Sequence, residues 1–199
     1  MREKDMDPVA LELMEWSLAG NPAPPPHAVK IAMLRSFIER SAYRVFIETG
    51  TYLGATTEEI AKTGVRVITI ELSESLHRTA VQRFADVPNV ACLLGDSSKV
   101  LPGLLADLKE PAVLWLDGHY SDGITAQGDR ATPLVEELFF VLHHEVKQHV
   151  ILIDDVRLFD GVTYPTVDWV EQFVRLYLPD HQSDVRHDIF RARPKVLGF

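Results

Sequence analysis

Short apolar runs alternate with amphipathic stretches along most of the chain. The runs are Val45-Phe-Ile47, Val65-Arg-Val-Ile-Thr-Ile70, Val90-Ala-Cys-Leu-Leu94, Ala112-Val-Leu-Trp-Leu116 and Val150-Ile-Leu-Ile153. They are nearly continuous in apolar residues, the pattern of strands buried on both faces of a parallel sheet. Between them, helical spacing predicts helices over 56–63, 75–84, 98–108 and 133–146. Strand and helix in alternation predict a doubly wound α/β domain. A further helix is expected over 164–178. Two last strands, 184–190 and 195–199, are expected to form an antiparallel hairpin at the sheet edge, joined by Arg191-Ala-Arg-Pro194.

The first 41 residues read differently. Pro8–Leu18 carries a loose helical stripe that includes Trp16. Gly20-Asn-Pro-Ala-Pro-Pro-Pro26 stops it, because consecutive prolines lack donors and push their predecessors out of the α region. Residues 27–40 then form an amphipathic helix, with Val29, Ile31, Ala32, Leu34, Phe37 and Ile38 on one side. The expected division is a helical extension over 1–41 and a main domain over 42–199. Trp16 and Phe37 are candidates to cover a site, to form a dimer interface, or simply to pack in the core. The proline tract is a stiff linker or, less commonly, a polyproline ligand for a partner.

Composition narrows the function. The chain has 199 residues, 46% hydrophobic and 25% charged, which suits one ordinary globular domain with a sizeable core. Its formal net charge of −9 argues against a large nucleic-acid footprint or an anionic membrane surface. One cysteine, Cys92, excludes an intramolecular disulfide scaffold and fits a reducing cytoplasm. No apolar run approaches the ~20 residues that span a bilayer. Met1-Arg-Glu-Lys-Asp5 leads into no apolar signal core, so export is not expected.

The candidate chemistry lies at the strand ends. The first strand runs through Glu48-Thr-Gly-Thr-Tyr-Leu-Gly54 directly into a helix. Such a unit can place backbone N–H groups at a ligand's polar end, or it can be a tight turn alone. The second strand ends in Glu71, about 20 residues on, where nucleotide-binding α/β folds put an acid on ribose hydroxyls. Glu71 could otherwise belong to the N-terminus of the next helix, which Ser73 is expected to cap. Asp96 could accept from a base amino group, or Asp96 and Ser97 could cap. The fourth strand ends in Asp117-Gly-His-Tyr120 and the fifth in Asp154-Asp155. Five parallel strands thus carry Glu48, Glu71, Asp96, Asp117 and Asp154 at the end where open α/β sheets bind ligands.

Glu48-x-Gly-x-x-x-Gly54, then Glu71, Gly95-Asp96 and Asp117, resembles the class I S-adenosylmethionine-dependent methyltransferases. Asp117-Gly-His-Tyr120 and Asp154-Asp155 further resemble the small-molecule O-methyltransferases. The motifs cover roughly residues 44–159. The resemblance implies a seven-stranded Rossmann-like sheet whose last strand is antiparallel, and S-adenosylmethionine as cofactor. It implies that Glu48 orders the glycine loop and approaches the methionine ammonium, with Gly50 and Gly54 as loop glycines. Glu71 matches the ribose acid, Asp96 the adenine-proximal acid, and Asp117 the residue near the methionine part or a metal. Thr51, Tyr52 and Ser97 lie at the same turns and are expected to bind the cofactor with them. The family's common loop has a further glycine where this chain has Tyr52. The chain also lacks the Asn-Pro-Pro-aromatic signature of many amino-group methyltransferases, which favours oxygen as acceptor.

Three carboxylates, Asp117, Asp154 and Asp155, are expected to converge, and a hard cation such as Mg²⁺ would relieve their repulsion. Asp155 could instead pair with Arg157. Asp117 and His119 are the candidate catalytic residues, with His119 as general base or as a residue that only bonds its loop. The polar stretch 121–132 could be a substrate lid or a solvated connection. Its Thr132-Pro133-x-x-Glu136 end is expected to cap the following helix. His143, His144 and His149 lack metal-ligand spacing and are expected at the surface or a helix end. A small hydroxylated metabolite is the expected acceptor, and a homodimer is allowed. Two other readings remain: a nicotinamide-dependent oxidoreductase, against which Tyr52 breaks the dinucleotide glycine pattern, and a non-catalytic protein that keeps the fold.

Overall fold

The computed structural model describes residues 7–118 and 132–199. Helix α1 (Pro8–Leu18) starts where Asp7 accepts from the Val9 amide and Pro8 takes the first turn, where its missing donor costs nothing. The proline tract follows, and α2 (His27–Ser41) begins directly after Pro26. Then come β1 (Val45–Thr49), α3 (Ala55–Ala61), β2 (Arg66–Glu71), α4 (Glu74–Arg83), β3 (Val90–Leu94), α5 (Ser97–Asp107) and β4 (Val113–Leu116). The described chain resumes before α6 (Leu134–His143). It continues through β5 (Val150–Ile153), a short 3₁₀ turn (Val156–Leu158), α7 (Val167–Tyr177), β6 (His181–Arg186) and β7 (Ile189–Pro194).

The sheet has seven strands in the order β3-β2-β1-β4-β5-β7-β6. The first five are parallel, and β7 enters antiparallel between β5 and β6. Alternate residues of each strand feed opposite faces. Ile47, Ile70, Leu114, Leu116, Ile151 and Ile153 pack against α5, α6 and α7 through Leu101, Leu138 and Val170. Phe46, Val67, Val113, Trp115 and Leu152 pack against α2 and α3 through Ile31, Leu34, Phe37, Ile38 and Ile60. Both faces of the central strands are therefore covered, as their unbroken apolar runs require. Helix α2 supplies much of one core layer, whereas α1 has no buried residue. Trp16 on α1 donates to the Pro22 carbonyl and meets His187 edge-on.

The terminal hairpin is antiparallel and lies at the sheet edge as expected, but its bounds differ. Its turn is His187-Asp188, both at positive φ (52° and 62°), a two-residue turn whose twist matches the flanking strands. Arg191-Ala-Arg-Pro194 is not the link but the body of β7, and 195–197 is a 3₁₀ turn. The period of two explains it. Phe190, Ala192 and Pro194 are buried, while Arg191 and Arg193 share the other face and both bind Asp184 on β6.

His149 differs from expectation in being buried; His144 ends α6 as expected and is buried too. The His149 Nδ1 accepts from the Ala112 amide, so its Nε2 carries the hydrogen and lies 2.7 Å from the His144 Nδ1. Burial, then the neighbouring His144, holds the His149 imidazole down to about 3, so it stays neutral.

Because α2 fills a core layer, a chain starting at residue 42 is expected to lose cooperative unfolding and expose the apolar face of β1, β4 and β5. Urea denaturation followed by circular dichroism, together with dye binding, measures this. A truncated chain with a sharp transition would contradict it.

Candidate cofactor and acceptor site

The parallel register brings the strand ends to one edge. Thr49 lies beside Ile70 and Leu116, Glu71 beside Leu94, and Leu116 beside Ile153. The chain leaves the ladder under backbone control: the Gly50 amide donates to the Ile70 carbonyl, Gly95 to Glu71, Asp117 to Thr49 and Asp154 to Leu116. Gly50, Glu71, Gly95, Asp117 and Asp154 therefore emerge side by side.

The glycine loop needs its glycines for packing. Gly50 has φ +83°, and a β-carbon there would lie 2.5 Å from the Asp117 carbonyl oxygen. Gly54 has φ +76° at the start of α3, and its β-carbon would meet the Phe84 ring at 2.9 Å. Tyr52, where the resembled loop has a further glycine, is itself left-handed at φ 49°. The ring is half exposed, and the backbone strain of such a residue is on the order of 1 kcal/mol. The position keeps the conformation of glycine without its identity.

Below the loop lies a buried hydroxyl network. Glu48 Oε2 accepts from Thr69 Oγ1 at 2.8 Å and also from Thr57 Oγ1, and Thr51 Oγ1 is 2.6 Å from Thr69 Oγ1. These bonds tie β1, β2, α3 and the loop together. Glu48 is only 2% exposed, and burial pushes its carboxyl up to about 8 although the two threonine hydroxyls pull it down. Glu71 is also buried, but its two oxygens accept from the backbone amides of Tyr52 and Ser73, each at 2.8 Å. Each oxygen keeps a lone pair for a further donor. Asp96 caps α5, accepting from the Ser98 amide and hydroxyl, and an ion pair with Lys99 adds to this. Of its two expected roles, capping is the one seen; Ser97 is buried as the first residue of that helix. Ser73 caps α4 as expected.

Two groups at the site were not found from the sequence. Glu137 on α6 is buried, and burial pushes it up to about 7 against the pull of the Ser97 and Thr49 hydroxyls. Its Oε1 has no hydrogen-bond partner among the described residues, and a β-carbon on Gly118 would come within 3.2 Å of it. Lys30 on α2 donates to Asp154 Oδ2 and lies 3.7 Å from Asp155 Oδ1. Its side chain is 18% exposed and that of Asp154 1%. Burial alone would lower the Lys30 ammonium, but the charge and hydrogen bond of Asp154 outweigh it and hold it above its ordinary value. Burial and then Asp117 push Asp154 upward against the pull of Lys30. A signal existed for both residues. Lys30 stands at i, i+4, i+7 with Leu34 and Phe37, and Glu137 sits among Leu134, Leu138 and Val141. An ionisable residue on an apolar stripe faces the sheet.

The same contacts bear on the expected three-acid metal site, and of the two readings of Asp155 the pairing with Arg157 is the one seen. Among the described residues no group of three or more His, Cys, Asp or Glu could hold a metal ion. The ammonium of Lys30 sits on Asp154. Asp155, left-handed at φ 58°, turns to Arg157 Nη1 at 2.5 Å, and Arg157 also binds Asp188 at the β6–β7 turn. His119 and nearly all of the 121–132 segment lie outside the described residues.

The order of the sheet and the placement of its loops are shared with solved methyltransferase structures. The O-methyltransferase of Bacillus cereus, solved with S-adenosylhomocysteine, superposes with a TM-score of 0.62 at 19% identity, covering 95% of this chain and 91% of that one. TomG of Streptomyces achromogenes, an O-methyltransferase of tomaymycin synthesis solved with S-adenosylmethionine, gives 0.56 at 20%, covering 96% and 91%. These likenesses are of fold. By sequence, Ribosomal RNA small subunit methyltransferase A of Thermotoga petrophila is 44% identical over 77 residues, which span 39% of this chain and 28% of that protein. No protein-family model matches the chain.

Two outcomes follow from the geometry. Gly50→Ala forces the Asp117 carbonyl away and is expected to cost about 2–4 kcal/mol, read from urea denaturation; a change under ~0.5 kcal/mol would contradict the contact. The unfolded chain releases the Glu48 proton near 4.5 and the folded chain near about 8. Folding thus takes up a proton across that window, and this group's contribution to stability falls as pH rises through it, by on the order of a few kcal/mol. Glu48→Gln removes the effect. Its stability relative to the parent should climb between about pH 5 and about pH 8, and parallel pH profiles would contradict the assignment.

Proposed function

We propose that the protein is an S-adenosylmethionine-dependent methyltransferase acting on an oxygen of a small hydroxylated molecule. The observation that carries this reading is the match between the strand-end edge and the cofactor's chemistry. S-adenosylmethionine is cationic at its sulfonium and ammonium and offers donors at its ribose hydroxyls and adenine amino group. The edge offers acceptors and acids: Glu48, Glu71, Asp96 and Asp117. A dinucleotide pyrophosphate would meet carboxylates of like charge at this edge, Glu48 apart, which disfavours the nicotinamide reading.

In this reading Glu71, aimed by two backbone amides, accepts from the ribose hydroxyls. Gly50, Thr51, Tyr52 and Gly54 shape the loop around the methionine part. Glu48 supports that loop through Thr57 and Thr69 and gains charge when an ammonium approaches. Asp96 and Ser97 border the adenine. Asp117 stands at the β4 end beside the methionine part, facing the acceptor. When bound, the cofactor supplies a sulfonium methyl for direct displacement. The protein's part is to hold the acceptor oxygen in line and to take its proton, for which His119 is the proposed base. The chain carries no divalent metal in this scheme, because cationic side chains lie on Asp154 and Asp155. The net charge of −9 supports a small acceptor over a polyanionic nucleic acid, although the partial relative from Thermotoga petrophila is named for ribosomal RNA. Among the described residues no helix is long and apolar enough to cross a membrane. A cytoplasmic location and a homodimer belong to the same proposal.

Calorimetry should show S-adenosylhomocysteine binding to the full chain. Glu71→Ala should weaken it about tenfold or more through loss of the paired hydroxyl contacts. Absence of binding of either cofactor form at ~1 mM would overturn the proposal.

A further inference from the structure

The acids after β4 and β5 are arranged around an amine. Asp154 Oδ1 accepts from the Asp155 amide at 2.9 Å, and its Oδ2 accepts from Lys30. The ammonium is also 3.7 Å from Asp155 Oδ1, and Asp117 is close enough for its charge to act on Lys30. A divalent ion that bridged these carboxylates would have to sit about 2.0–2.6 Å from their oxygens, where the lysine nitrogen already donates. The two cations repel and cannot share the position.

Lys30 is held there by the core. Its helix is fixed by Ile31, Leu34, Phe37 and Ile38, which pack on β1, β4 and β5. The stem leaves α2 on the stripe that faces the sheet, so the ammonium reaches the strand ends from inside the fold. An ammonium has three donors, and among the described residues Asp154 takes one.

We propose that Lys30 is the resident cation of the acceptor site, standing where a divalent metal would otherwise sit, and that it binds the acceptor through an anionic or ionising oxygen. The inference rests on the reading of this edge as a methyl-acceptor site. The lysine is a point charge with donors to spare, so it favours an acceptor that presents one acidic hydroxyl or carboxylate oxygen. A metal would instead chelate a pair of oxygens. Lys30 also keeps the buried Asp154 compensated, since a buried carboxylate without a partner is strongly destabilising.

The test uses Mn²⁺ alone, titrated into the full chain and followed by electron paramagnetic resonance. The parent protein is expected to show no saturable binding up to ~1 mM. Lys30→Ala and Lys30→Met, which empty the position, are expected to bind Mn²⁺ at least about tenfold more tightly than the parent. Adding Asp154→Asn should abolish the gain. Lys30→Arg, which keeps a cation, should bind no more than the parent. A lysine with only a structural role would not produce this pattern. Sub-millimolar Mn²⁺ binding by the parent would overturn the proposal, and that measurement needs no variant to fold. So would a folded Lys30→Ala protein that gains nothing. Failure to bind S-adenosylhomocysteine would remove the methyltransferase reading but leave the metal titration unchanged, so the two failures are separable.

Discussion

A parallel sheet brings all its carboxyl ends to one edge, and in this chain that edge is acidic. Glu48, Glu71, Asp96, Asp117 and Asp154 share it because the register places their strands level, with Asp155 and Glu137 close by. Much of the local structure serves to contain their repulsion. Glu48 and Glu137 resist ionisation in burial, with hydroxyl groups for company. Glu71 and Asp96 accept from backbone amides. Asp154 and Asp155 take Lys30 and Arg157. Each device leaves a different residue chemistry at the edge.

Much of the fold was legible because the signals were local. Apolar runs buried on both faces have no competing reading at their length, and Ser73 and Asp96 mark helix starts by a mechanism confined to three residues. The hairpin was misplaced because arginine and proline read as turn residues. Only the partner strand shows that Arg191 and Arg193 lie on one face toward Asp184. The real turn, His187-Asp188, lacks the glycine that would announce it. The acids at the strand ends could be read from their position after each strand. The apolar stripe marks Lys30 as facing the sheet but does not name its partner, because Asp154 lies 124 residues away in the chain and no spacing rule joins them.

Helix α2 links stability to chemistry. The same 15 residues complete a core layer and deliver Lys30 to the strand ends. An element anchored by four buried side chains opens only with the sheet beneath it, so the lysine is as firmly placed as the strands. In contrast, α1 has no fully buried residue and is joined to α2 through the proline tract.

The retained protons of Glu48 and Glu137 bear on the electrical character of the whole molecule. The formal charge of −9 counts both as ionised. In the folded protein near neutrality one holds its proton and the other is near its midpoint, so the native molecule is less negative than its composition. A cation drawn to the glycine loop would release such a proton to the buffer. The charge of this protein is therefore a property of its folded and liganded state, and occupancy of the site would be visible as acid liberated into solution.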